Sequence, residues 1–242
     1  MITTLFRKSL LAVWRSLLLV FLFLLAFPIV EYGLTRALKL ALLLMLWSGA
    51  LWLWWRLKPV RIALLALAMV ILTVFCLPAR SPDPAGLRQD YRQMLRLCRG
   101  AHYAWGAESL YAIDCSGLAR KGMVWGQAWH GLRRLDGAEL RRAADLWWHD
   151  ASALSLRDGY RGLTRRIGSA SAINAAPAGL LLPGDLAVTA NGVHVLIYLG
   201  EQTWIEADPE IQKVVEITIP SDNPWFNTPV VFVRWTFLEK DE

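Results

Sequence analysis

Three long apolar runs crowd into the first 79 residues, and they constrain the chain before any motif does. Segments 16–34, 38–55 and 62–79 are almost unbroken aliphatic and Trp sequence. Each is close to the ~20 apolar residues that the hydrocarbon core of a bilayer requires. A cleaved leader would account for the first run alone. Two more follow at once and no small-residue cleavage site is evident, so all three read as a retained anchor over residues 1–79. The lipid bilayer is therefore one expected partner.

Charge follows the same division. Glu31 is the only acid among these residues, whereas Arg7, Lys8, Arg15, Arg36, Lys39, Arg56, Lys58 and Arg61 make eight bases. The rest of the chain holds 18 basic and 19 acidic side chains, close to balance. The net charge of +6 is thus a property of membrane flanks, not the footprint of a nucleic-acid surface, and no nucleic-acid partner is expected. Arg7, Lys8 and Arg15 precede the first run, and Arg56, Lys58 and Arg61 separate the second from the third. The excess of positive charge in cytoplasmic loops puts both flanks in the cytoplasm and everything after Pro78 outside. Arg80, Arg88, Arg92, Arg96 and Arg99, just past the third run, pull mildly the other way.

Residues 80–86 read as a linker by their Pro, Ser and Gly content. Leu87, Tyr91, Met94, Leu95 and Cys98 then recur at helical spacing and open a second domain, 87–242. The stretch Tyr103-Ala-Trp-Gly-Ala-Glu-Ser-Leu-Tyr-Ala-Ile-Asp-Cys115-Ser-Gly has the look of chemistry. A cysteine between Asp114 and Ser116-Gly117, at the start of a short helix, gains thiolate character from unpaired N–H groups and the helix dipole. Cys76 reads as a small buried hydrophobe. Three irregularly spaced cysteines make neither a disulfide framework nor a zinc site, and a Cys98–Cys115 bridge would block the thiol. No metal-ligand spacing is present and no cofactor is called for.

Residues 138–166 are Arg-rich and mostly helical in pattern. They read as a solvated face ahead of the alternative, a surface for an anionic polymer or lipid headgroups. After Pro183 the pattern turns to short β runs at 185–190, 193–199, 203–207, 214–219 and 230–237. A helix bearing the thiol followed by an antiparallel sheet predicts an α+β domain.

Among His102, His130, His149 and His194, the last stands out. It opens an apolar strand in which Val193, Val195, Ile197 and Leu199 share one face, while His194, Leu196 and Tyr198 share the other. A base on a rigid strand suits a nucleophile elsewhere. A three-residue turn at Gly200-Glu201-Gln202 sets His194 opposite Asp208 with Glu206 one diagonal step away. A two-residue turn would point both acids away. Both carboxylates stay open as the partner of His194.

Four motifs in order, Tyr103-x-Trp105-Gly106, Asp114-Cys115-Ser116-Gly117-Leu118, Pro183-Gly184-Asp185-Leu186 and Val193-His194-Val195 with Ile197-Tyr198-Leu199-Gly200, resemble the NlpC/P60 cysteine peptidases over roughly residues 87–237. The resemblance implies a papain-like α+β fold and a Cys–His–polar triad, with Cys115 as nucleophile and His194 as base. The third position, usually His, Asn or Gln, falls on Glu206, a departure that still provides an acceptor for the imidazole N–H. Tyr103, Asp114 and Ser116 match positions lining substrate subsites. The implied substrate is the stem peptide of bacterial cell-wall peptidoglycan. The implied location is the inner membrane, with the enzyme on its periplasmic face. The long Arg-rich stretch before Pro183 is a second departure. Two rivals are a lipid amidase or acyltransferase on the same scaffold, for which the expected Asn-Cys-Glu-His order is missing, and a non-catalytic wall-binding module, to which a Cys–His pair would be of no use.

Overall fold

The computed structural model describes residues 2–27, 30–177 and 179–239, the side chains of residues 2–5 excepted. It opens with three helices, α1 (Ile2–Ala26), α2 (Gly33–Leu53) and α3 (Lys58–Cys76), each containing a stretch long and apolar enough to cross a membrane. Their apolar side chains are mostly exposed, as suits a lipid environment rather than water. The helix bounds sit earlier in the chain than the apolar runs 16–34, 38–55 and 62–79. Hydropathy marks where lipid is tolerated, but Arg, Lys, Leu and Ala are all good helix formers, so α1 continues through the basic flank around Arg7 and Lys8.

Helix α4 (Pro84–Leu97) begins inside the stretch read as a linker. The Asp83 side chain accepts from the Gly86 N–H at 2.9 Å, and Pro84 supplies a preset φ in the first turn, so the residues that looked like linker punctuation form a helix start. Helix α5 (Cys115–Arg134) is long, not short, and runs antiparallel support to α4 through close contacts at two glycines. A Cβ on Gly126 would lie 3.0 Å from the Tyr91 Cα, and one on Gly122 would lie 2.6 Å from Leu95. Helices α6 (Gly137–Trp148) and α7 (Ala153–Arg157) follow.

The sheet has eight strands: β1 (His102–Tyr103), β2 (Ala112–Ile113), β3 (Thr164–Ala170), β4 (Leu186–Thr189), β5 (Val195–Gly200), β6 (Thr203–Asp208), β7 (Lys213–Thr218) and β8 (Val230–Trp235). They are ordered β2-β1-β7-β6-β5-β4-β8-β3, antiparallel except for the β1–β2 pair. The α+β class predicted from the sequence is the one observed. Strand β3 begins inside the end of the stretch 138–166 whose pattern suggests helix and runs four residues past it. Its Thr164-Arg-Arg-Ile-Gly-Ser-Ala170 carries only one large apolar residue, and its strand form comes from pairing with β8 along one edge.

Both faces of the sheet are covered. Leu87, Tyr91, Leu95, Leu118 and Met123 from α4 and α5 pack on Val195, Ile197, Ile205, Val233 and Trp235. On the other face, Ile173 and Phe226 from two short 3-10 turns, Ile173–Ala175 and Pro224–Asn227, cover Leu196, Trp204 and Phe232. The β5–β6 hairpin resolves the turn question in an unexpected way. Gly200 pairs with Thr203, so the turn has two residues, Glu201 and Gln202, both with positive φ. A bulge at Leu199 shifts the register back to Tyr198 with Trp204 and Ile197 with Ile205. The side-chain parity of a three-residue turn is thereby kept.

The sheet domain sits on one end of the three apolar helices, where α1 ends, α2 begins and α3 ends. The Gly137 N–H donates to the Pro78 carbonyl at 3.3 Å, and Arg141 donates to the carbonyls of Phe75 and Leu77, the last turn of α3. Arg7 lies at the opposite end, donating to the Leu53 carbonyl at 3.2 Å. Arg142, Arg157 and Arg161 of the Arg-rich stretch pair with Glu139, Asp158 and Asp145.

Candidate active site

Strand β2 delivers the chain into the helix that carries Cys115. Asp114 is extended (φ −94°, ψ 178°) and caps α5, its Oδ1 accepting from the Gly117 N–H at 2.6 Å and from the Ser116 hydroxyl at 3.1 Å. Its Oδ2 accepts from the Gly106 N–H at 2.7 Å. One carboxylate thus ties the Tyr103–Gly106 turn to the first turn of the cysteine helix. Gly117 admits this closeness, since a Cβ there would lie 2.8 Å from the Ala107 carbonyl oxygen and 3.0 Å from the Glu108 side chain. The two glycines are therefore packing requirements of the loop. Cys115 is buried at the helix start, where the first N–H groups lack intrahelical acceptors and the dipole favours negative charge.

His194 is held by its backbone before its ring is considered. Thr189 Oγ1 accepts from the N–H groups of Val193 and His194 at 3.2 and 3.0 Å, across a turn at Asn191-Gly192. His194 stands one residue ahead of β5, and Val193, assigned by alternation to the apolar face, is 60% exposed. The ring is buried. Its Nε2 lies 2.6 Å from Glu206 Oε2, also fully buried, and Trp225 stacks on it at a centroid distance of 4.2 Å. Cys115 Sγ lies 3.9 Å from the Val193 carbonyl oxygen, and the thiol is close enough to His194 to share a hydrogen bond with the ring and favour its protonation.

Asp208 has a different task. Its Oδ1 accepts from the N–H groups of Glu210 and Ile211 at 2.6 and 3.0 Å, and its Oδ2 accepts from Asn223 Nδ2 at 2.7 Å. The same Asn223 amide reaches Glu206 Oε1 at 3.4 Å. The geometry therefore brings together Cys115, His194 and Glu206, with Asn223 and Trp225 around them. Sequence reasoning missed the last two. They come from the single 3-10 turn Pro224–Asn227 and its N-cap, too short to show a periodicity and with no fixed spacing to His194.

Burial is the largest single influence on His194 and works to lower its pKa. The hydrogen bonds and charges of Cys115 and Glu206 act in the opposite sense and together prevail, holding the ring up to about 9. Burial likewise pushes the Glu206 carboxyl up. The pair thus keeps a proton well into the alkaline range. Tyr103, on β1, is half-buried beside this centre, and burial, with the neighbouring Cys115 and Asp114, pushes its phenol up to about 12. Trp105 in the same turn is exposed. Among the described residues no group of His, Cys, Asp or Glu side chains has the arrangement of a metal site. A thiol at a helix start, a charged-capable imidazole and a buried carboxylate acceptor make a unit suited to nucleophilic acyl transfer.

A family model described as "NlpC/P60 family" matches residues 100–234. No curated protein matches the chain. Similar solved structures include NlpC2 from Trichomonas vaginalis, at 18% identity and a TM-score of 0.41, covering 63% of this chain and 48% of that one. The P60 domain of an antigen from M. avium subspecies paratuberculosis is 19% identical with a TM-score of 0.40, covering 65% of this chain and 98% of that one. The peptidoglycan hydrolase RipB from Mycobacterium tuberculosis is 20% identical with a TM-score of 0.37, covering 64% and 68%. The chain thus spans about half the length of the first of these.

Proposed function

Because the chain belongs to the NlpC/P60 family, we propose that it is a membrane-anchored cysteine peptidase that hydrolyses amide bonds in peptidoglycan stem peptides. The observation that carries this reading is the Cys115–His194–Glu206 arrangement at the start of α5. The Cys115 thiolate attacks the scissile carbonyl, and the Cys115 N–H at the helix start stabilises the oxyanion. The His194 imidazolium protonates the leaving amine, with Glu206 accepting from Nε2 and holding the ring in place. Water, deprotonated by His194, then hydrolyses the thioester. Tyr103 lines the substrate side of the thiol, and Asp114 and Ser116 shape the turn beneath it.

Location follows from charge. The docked domain lies at the end of the helices away from Arg7, Lys8, Arg56, Lys58 and Arg61, whose excess marks the cytoplasmic side. Arg36 and Lys39, at the domain end, are paired with Glu108 and Glu31 and count little as free charge. Arg88 and Arg96, beyond α3, are likewise engaged, with Asp185 and Glu216. The domain then faces the periplasm of a bacterial inner membrane, where the wall is within reach.

Full-length protein in detergent is expected to release peptide fragments from purified peptidoglycan, detected by mass spectrometry, and a reporter fused after residue 242 is expected to be active only outside the cytoplasm. A lipid-only activity would replace the wall substrate, and a cytoplasmic reporter would remove it. The rate should also have an alkaline limb. His194 carries its proton below about 9, so kcat/KM falls as pH rises through that value and the leaving amine loses its acid. A profile flat to pH 10 would remove His194 from that role.

A further inference from the structure

Arg36 belongs to α2, a candidate membrane span, yet its side chain is fully buried against the sheet domain. Its Nη2 lies 3.2 Å from Glu108 Oε2 and 3.7 Å from Asp150 Oδ1, and its Nη1 donates to the Trp148 carbonyl at 3.4 Å. A guanidinium taken out of water is tolerated only with such partners. Glu108 also takes Arg120 of the cysteine helix, which reaches Asp150 at 2.8 Å and the Leu146 and His149 carbonyls at 3.1 and 2.9 Å. One carboxylate therefore joins a cation from the membrane block to a cation from α5.

A second grip lies five to six residues earlier, at Val30 and Glu31. The Glu31 N–H donates to the Gly106 carbonyl at 2.8 Å. Val30 lies directly over Gly106, whose φ of +71° and missing Cβ make room, since a Cβ would lie 2.7 Å from Val30 Cγ1. From Gly106 the path to the thiol is short: the Gly106 N–H to Asp114, and Asp114 to the Gly117 N–H beside Cys115. The segment 106–108 that packs under Gly117 is thus clamped by the hairpin between α1 and α2. None of Val30, Glu31 and Arg36 lies within the family-matched residues 100–234.

We propose that Arg36 is a positioning residue of the cysteine centre, and that the centre is complete only with the α1–α2 hairpin docked on the 106–108 loop. This rests on reading Cys115 as the nucleophile. The membrane block then does more than tether: it sets the geometry of the first turn of α5 through Glu108 and Gly106. Docking of the domain as a whole has a separate support at the end of α3, through Gly137 and Arg141.

The test uses the full chain in detergent, with iodoacetamide labelling followed at the Cys115 peptide by mass spectrometry, kcat and KM measured in parallel, and melting monitored. Arg36→Met is expected to slow Cys115 labelling and to lower kcat, each by about 10- to 100-fold with KM little changed, as a misplacement of reacting groups does. Arg36→Lys restores part of the loss. Val30→Ala, which only thins the packing on Gly106, gives a smaller loss in the same direction and carries the test if Arg36→Met does not fold. Arg141→Met, which loosens the other docking contact, leaves labelling at the wild-type rate. Wild-type labelling in both Arg36→Met and Val30→Ala would overturn the proposal while leaving the nucleophile reading intact. Equal slowing in Arg141→Met would overturn it in favour of general docking. Wild-type Cys115 no more reactive than a free cysteine would remove the nucleophile reading and this proposal with it.

Discussion

Cys115→Ala is expected to abolish peptide release from peptidoglycan, with a fall of roughly ten-thousand-fold or more in turnover and little change in melting temperature. Removing one member of a nucleophilic unit costs nearly as much as removing all of it, because the remaining groups have nothing to act on. The structural cost is small by contrast. The side chain is buried at a helix start, its Sγ makes a long contact to the Val193 carbonyl, and alanine is a good helix former. The measurement is release of soluble peptides by the full-length protein, beside thermal melting of the same preparation. Wild-type release by the Cys115→Ala protein would end the thiol mechanism. Cys76 and Cys98 do not substitute for it, since Cys98 is buried at the C-cap of α4 with its thiol pushed up to about 11 by burial, and Cys76, which the sequence reads as buried, is exposed at the far end of α3 among apolar side chains.

Glu206→Ala carries the second large effect. Among the described residues the His194 ring has no other carboxylate partner, so the substitution leaves a buried Nε2 without its acceptor and frees the ring to turn. Loss of the orienting acid in a triad lowers kcat by about a hundred- to ten-thousand-fold. The alkaline limb should move down as well, because the Glu206 charge is one of the influences that hold His194 up to about 9. Asp208→Asn makes the comparison. Asp208 serves the 208–211 turn and Asn223, so its loss is expected mainly in melting, with kcat within about tenfold of wild type. The reverse pattern, with Asp208→Asn severe and Glu206→Ala mild, would give the third role to Asp208.

The pair also shows where legibility in the sequence stops. Strand alternation is a local rule, and it reaches as far as saying that Glu206 and Asp208 share a side with His194. Which of them meets the ring depends on what else claims each carboxylate. Asp208 is claimed by backbone N–H groups just after it and by Asn223 fifteen residues on. The turn illustrates the same point. Two residues were enough to reverse the chain, and a bulge at Leu199 restored the parity that a three-residue turn would have produced. Strand β3 is not legible in its sequence because its pairing with β8, not its own composition, makes it a strand.

By itself the sequence determined the division into apolar helices and a balanced second part, the α+β class of that part, and the family, through motifs whose residue order is local. Only the tertiary structure decided the contacts between segments far apart in the chain: His194 on Glu206, Trp225 over the imidazole, and Arg36 of the apolar helix α2 on Glu108. The reason is physical. Helix and strand patterns arise from neighbours within a few residues, and those a reader can count. A buried charge is held by whatever partner the folded chain brings within hydrogen-bond reach, and no spacing along the sequence records that distance.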